Sequence, residues 1–171
     1  RARLPEPLLL AALRASAQAA DARTQRSGAL QDRVVKVLDA TTLTLPDTPQ
    51  TQRAYPQTSV SKPGCGFPLM QLLVVWSARG GGVLAPAKGD HHQGEMRLLH
   101  QLGSALQPQD IAVYDRAAGN YVACARLRAG QIDLISRVAT RKIVWRRGRL
   151  AGPGERLVIL PKSRQKPPYI T

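Results

Sequence analysis

The sequence predicts an α/β fold with a β-rich C-terminal tail. Helix-period segments and short Val- or Ile-rich runs alternate along its 171 residues. The runs end at Gly, Pro, Asn or Asp, which punctuate strands and helices. A hydrophobic fraction of 43% is enough for a core, and the length suits one domain.

Residues 6–20 are rich in Ala and Leu at helical spacing, and Pro5 suits a first turn. A polar linker follows, containing Ser27-Gly28, and Arg33 to Leu38 reads as a strand ending in Asp39. Pro46, Pro49, Pro56, Pro63, Gly64 and Gly66 mark residues 46–66 as a long irregular loop. Phe67 to Ser77 is the next strand, Gly80-Gly81-Gly82 a turn, and Val83 to Ala85 a short pairing strand. Glu95 to Leu106 places apolar residues on one helical face, and Pro108 stops it. Asp110 to Tyr114 is a strand ending in Asp115; Tyr121 to Ala129 is a helix with Asn120 as cap and Gly130 as stop. Strands are expected at Ile132–Val138, Lys142–Trp145 and Arg156–Leu160.

The charge narrows the function classes. Twenty-five Lys and Arg oppose eleven Asp and Glu, a net +14. That excess points to a polyanionic partner, nucleic acid first and an anionic surface second. Cys65 and Cys124 are too few for a disulfide framework or a tetrahedral zinc site. The longest apolar run, Phe67 to Ala78, falls short of the ~18–20 residues of a membrane span. Arg14 interrupts the apolar start of the chain, which is therefore read as an amphipathic helix rather than a signal peptide.

Asp39 and Asp115 share a setting. Each follows an apolar strand run and opens a polar, turn-prone segment. A carboxylate at the end of a buried strand stands at the sheet edge, where open α/β sheets hold ligands. Two on neighbouring strands repel unless a cation lies between them, and Mg²⁺ is suited to one or two carboxylates plus phosphate. The alternative is that each Asp caps a turn or the following helix.

The wording between these positions adds a resemblance. Val37-Leu38-Asp39-Ala40-Thr41-Thr42, Leu45-Pro46-Asp47-Thr48-Pro49, Tyr55-Pro56 and Ser61-Lys62-Pro63-Gly64-Cys65-Gly66-Phe67-Pro68 resemble the DDE transposases of bacterial insertion sequences, and more narrowly the insertion-sequence-four group. The similarity runs from Arg3 to about Pro161. It implies a ribonuclease-H-like mixed sheet with flanking helices, plus a basic β-rich insertion at the C-terminal end. Asp39 matches the family's first catalytic, metal-binding aspartate and Asp115 the second. The cofactor implied is Mg²⁺, or Mn²⁺, and the reaction is strand cleavage and transfer at transposon ends. The partners implied are DNA and a second copy in the synaptic complex, in a bacterial, nucleoid-associated, cytoplasmic setting with no membrane.

The chain departs from that pattern. After Asp115 the only carboxylates are Asp133 and Glu155, and Glu155 falls in the turn Gly152-Pro153-Gly154-Glu155. The family's glutamate stands on a helix with a Tyr, Arg, Glu, Lys signature, absent before Thr171. That helix is expected beyond the chain's end, and the chain is expected to cleave poorly. Ala40 and Ala117-Ala118 replace residues the family usually has as Gly and Gly-Phe. The expected layout is a helix and linker (1–31), a partial catalytic core (32–136) and the start of the insertion (137–171). The rival readings are a nucleic-acid-binding remnant acting through the tail, and a metal nuclease that borrows Glu155.

From Arg137 to Lys166 ten Lys and Arg face one Glu. Arg141, Lys142, Arg146, Arg147 and Arg149 are the phosphate-contact candidates of that tail; a solvated charged surface is the equal alternative. Arg116 either holds a phosphate or balances Asp115. Trp145 either stacks on a base or anchors a small sheet, with the anchor preferred. Asp90-His91-His92 reads as a solvated loop, and Glu95 as a helix-start carboxylate.

Overall fold

The computed structural model describes residues 4–24, 29–30, 32–60, 62, 64–115, 119–138, 143–160 and 162. Its elements in chain order are α1 (Glu6–Arg23), β1 (Ala29–Leu30), β2 (Arg33–Thr44), α2 (Pro49–Ala54), β3 (Leu69–Ser77), β4 (Val83–Asp90), α3 (Glu95–Gln101), β5 (Ile111–Tyr114), α4 (Tyr121–Ala129), β6 (Asp133–Ser136), β7 (Arg149–Gly152) and β8 (Glu155–Leu157). The main sheet runs β4-β3-β2-β5-β6, with β1 paired to β2. β2, β5 and β6 are mutually parallel, whereas β3 is antiparallel to both β2 and β4. A five-strand mixed sheet with flanking helices is consistent with a ribonuclease-H-like fold.

The central strand is longer than its apolar run. β2 continues through Ala40-Thr41-Thr42-Leu43-Thr44 because β3 supplies a ladder partner for each residue, down to Thr44 opposite Leu69. β-branched Thr suits such a paired surface. β4 likewise continues past Pro86, which lacks a ladder donor but is tolerated because β4 is an edge strand, where one side of the backbone needs no strand partner. The loop 46–66 contains α2, started by a capping box in which Thr48 and Thr51 satisfy each other's backbone donors. The helix expected over 95–106 stops at Gln101 and finishes as a 3-10 turn over Gly103–Ala105. α4 forms with its Asn120 cap and Gly130 stop.

One face of the sheet makes the core. Leu38, Leu73, Val75, Ala85, Ala87, Ala112 and Tyr114 pack with Leu98, Leu99 and Leu102 from the α3 segment and Ala123 and Leu127 from α4. α1 lies along β4, where Gly82 leaves room for Ala17: a Cβ there would stand 2.5 Å from the Ala17 Cα. Ser77 Oγ donates to Asp21 of the same helix at 2.6 Å. Alternation turns Val37, Asp39, Val74, Trp76 and Val113 to the opposite face. Of these Val74 is buried, and the others are half-buried or exposed. Among the described residues no helix is long and apolar enough to cross a membrane.

The tail differs from expectation. Trp145–Arg147 form a single 3-10 turn, not part of a strand, so Trp145 and Arg147 do not share a strand face. The antiparallel pair described in the tail is β7 with β8, joined across Pro153-Gly154 with Gly154 at φ 75°. Trp145 is 52% exposed and is no core anchor. The described part of the tail forms one antiparallel hairpin, β7–β8.

A buried ion pair ties β2 to the start of β5. Lys36 Nζ lies 2.6 Å from Asp110 Oδ2 and donates to the Ala105 carbonyl at 2.8 Å. Asp110 also accepts the Gln107 N–H at 2.6 Å, so every partner is satisfied. Removing one member strands a buried charge at a cost of about 3–5 kcal/mol, while replacing both with apolar residues is nearly neutral. Lys36→Ala is therefore expected to lower the urea midpoint sharply, and Lys36→Met with Asp110→Leu to restore most of it. Equal losses in the single and double variants would contradict this.

Candidate functional site

The geometry of the site follows from strand register. β2 and β5 pair in parallel up to Leu38 opposite Tyr114, both buried in the core. The next residues along the two strands are Asp39 and Asp115. Side chains alternate, so both carboxylates leave the core face on the same side of the sheet, on strands about 4.8 Å apart. Both are exposed. Asp39 Oδ1 accepts the Ala40 N–H at 2.9 Å. Asp115 Oδ1 lies 3.8 Å from Arg137 Nη1 at the end of β6.

Other acids fall elsewhere. Glu155 begins β8, and its carboxylate folds back on the hairpin, where a Cβ on Gly152 would sit 3.1 Å from Oε2. No group of three His, Cys, Asp or Glu side chains placed to hold a metal occurs among the described residues. The reading in which Glu155 completes the aspartate pair is thereby corrected. The Asp90 carboxylate accepts N–H groups from His92 and Gln93 and the Gln93 Nε2 at 2.7 Å. Burial pushes Asp90 up, but these bonds outweigh it and hold the carboxyl below its ordinary value. The His91 and His92 rings lie 3.8 Å apart in the same turn.

A contact that sequence reasoning missed joins Tyr114 to Glu95. Tyr114 Oη donates to Glu95 Oε2 at 3.1 Å. Burial raises the phenol pKa far above its usual value, reinforced by the charge and hydrogen bond of Glu95 and by the charge of Asp39. Tyr114 is thus a neutral donor to the Glu95 carboxylate. Glu95 was read only as a helix-start residue, and nothing in its local sequence announces a partner nineteen positions away.

The basic candidates divide. Arg146 and Arg147 are exposed on the 3-10 turn, and Arg149 is exposed on β7. Arg147 and Arg149 line a cleft of about 560 Å³ with Val144, Leu157 and Ile159. Arg156 is occupied, with Nη1 donating to the Gly148 carbonyl at 3.0 Å. Arg116, Arg141 and Lys142 lie outside the described residues.

Fold and site together define a mixed α/β domain with two exposed carboxylates on neighbouring inner strands, where their parallel pairing stops, and an arginine-rich hairpin. No family profile and no curated protein sequence matches the chain. A solved structure it is similar to is the Mos1 transposase paired-end complex with left transposon end, at 15% identity and a TM-score of 0.43. That likeness covers 81% of this chain and 44% of the other, so the chain spans less than half of that protein's length. At this identity and TM-score it says nothing of chemistry.

The tyrosine makes a pH test available. Its folded-state pKa lies above the unfolded value of ~10, so the stability it contributes is present below pH ~10 and lost as pH rises further. In an alkaline titration followed at 295 nm, one phenol of the four tyrosines is expected to ionise only as the protein unfolds. Glu95→Gln should bring that fraction to lower pH. Simultaneous ionisation of all four in the folded state would refute the contact.

Proposed function

We propose that the chain is a partial catalytic core of a DDE-type transposase of the insertion-sequence-four kind, acting on DNA at transposon ends. Residues 32–136 are the core, and the segment from 137 onward is the beginning of its basic insertion. The observation that carries this reading is the β2–β5 register, which stops at Leu38 opposite Tyr114 and so makes Asp39, within β2, and Asp115, just past β5, the next residues on neighbouring strands.

The donor set fits a divalent cation. Two exposed carboxylates offer hard oxygen ligands, and Mg²⁺ commonly takes only one or two from protein, leaving the rest to water and phosphate. Mg²⁺ or Mn²⁺ bound there supplies electrostatic stabilisation of an in-line phosphoryl displacement. The chain's own part is to hold the ion with Asp39 and Asp115 and to grip the DNA backbone with Arg146, Arg147 and Arg149. Each neutralised phosphate adds salt-dependent affinity. Pairing of two copies at transposon ends belongs to the same reading.

With two acids and no third among the described residues, cleavage by the chain alone is weak. That same observation favours a second reading, a non-catalytic nucleic-acid-binding remnant that works through the hairpin arginines. The aspartates separate the two. Under the transposase reading, calorimetric titration with Mn²⁺ shows binding that Asp39→Asn and Asp115→Asn each weaken at least tenfold, with Mn²⁺ tightening DNA binding in the wild type. Under the remnant reading, both variants bind Mn²⁺ and DNA as the wild type does, and the transposase reading is then lost.

A further inference from the structure

We propose that Arg137 is a phosphate-holding residue of this same site, parked on Asp115 until a divalent cation takes over the carboxylate. The inference rests on the two-aspartate reading above and adds a third residue to it.

The parallel pairing of β2, β5 and β6 stops in step, although β2 itself runs on to Thr44 against β3. Leu38 pairs with Tyr114, and Tyr114 with Ser136; the residues that follow are Asp39, Asp115 and Arg137. Arg137 thus occupies, on the edge strand β6, the same level that Asp39 and Asp115 occupy on the inner strands β2 and β5. Its backbone is held firmly. Ser136 Oγ donates to the Arg137 carbonyl at 3.0 Å, with the Asp115 carbonyl 3.5 Å away, linking the ends of β5 and β6. Gly119 is buried and packs so closely on the Arg137 carbonyl that any Cβ there would overlap it.

The side chain, in contrast, is held loosely. Nη1 stands 3.8 Å from Asp115 Oδ1, and the two side chains are 79% and 64% exposed. An exposed pair at that separation is weak and easily exchanged. A cation bound by Asp115 removes the carboxylate's attraction for the guanidinium and repels it. The nearest acceptor then offered to Arg137 is the anion that the cation attracts, a DNA phosphate, whose geometry a guanidinium matches in a bidentate manner. The exchange makes cation and DNA binding cooperative, and the coupling is reciprocal.

The test uses the full chain, Mn²⁺ and a 20-base-pair duplex. Duplex affinity is read by fluorescence anisotropy with and without Mn²⁺ at constant ionic strength, and Mn²⁺ affinity by calorimetry. The wild type should bind the duplex several-fold more tightly with Mn²⁺. Arg137→Ala should lose that gain while its Mn²⁺ affinity is unchanged or higher, and Arg137→Lys should keep part of it. Arg149→Ala should weaken duplex binding equally in both conditions, leaving the gain intact. Arg137→Ala that retains the full gain, or that binds Mn²⁺ less well, overturns the role of Arg137. If Asp39→Asn and Asp115→Asn leave Mn²⁺ binding untouched, the two-aspartate reading itself has failed and Arg137 falls with it. If those variants abolish Mn²⁺ binding while Arg137→Ala behaves as wild type, only the Arg137 proposal is lost.

Discussion

The register between β2 and β5 is the constraint on which the rest of the structure depends. A slip of one residue moves every side chain to the other face of a strand. Such a slip would carry Leu38 out of the core and turn Asp39 into it. Two devices prevent this at the far end of the same strands. Lys36 is buried against Asp110, which directly precedes β5. Arg33 reaches across as well, with Nε donating to the Gln109 carbonyl at 2.7 Å and Nη1 to Asp133 at 2.5 Å, at the start of β6. Ion pairs at one edge of the sheet thus set the alignment of Asp39, Asp115 and Arg137 at the other. Specification of register is among the uses for which buried polar pairs are best attested.

The site edge shows why these carboxylates remain available. Asp39 and Asp115 extend to solvent, whereas Asp90 and Asp110 are saturated with backbone and side-chain donors. Adjacent exposed carboxylates carry a mutual repulsion that a cation relieves. On a chain of net charge +14, the pair is a local negative spot within a field that attracts polyanions. Under the proposed function, cation and nucleic acid meet on neighbouring parts of one surface.

The parts of this arrangement that were legible in the sequence are those fixed by local rules. The apolar runs Val34-Val35-Lys36-Val37-Leu38 and Ile111-Ala112-Val113-Tyr114 form strands as expected; β5 stops before Asp115, but β2 does not end at Asp39 and continues to Thr44. Asn120 and Gly130 bracket α4 by capping chemistry alone. What was not legible depends on partners distant in sequence. The polar second half of β2 is a strand because β3 pairs with it. Residues 143–144 lie outside any strand and Trp145 opens a 3-10 turn. Arg137 gains its meaning only from the place of β6 beside β5, and Glu95 from Tyr114. A periodicity argument has no access to such pairings, and the basic tail gave charge without conformation.

The central claim, that Asp39 and Asp115 share one cation, is tested most directly by anomalous diffraction from crystals of the protein soaked in Mn²⁺. The account predicts an anomalous peak within coordinating distance of both carboxylates, with the Arg137 guanidinium displaced from Asp115. A peak elsewhere, or none at saturating Mn²⁺ with both carboxylates ordered and free of lattice contacts, would contradict it.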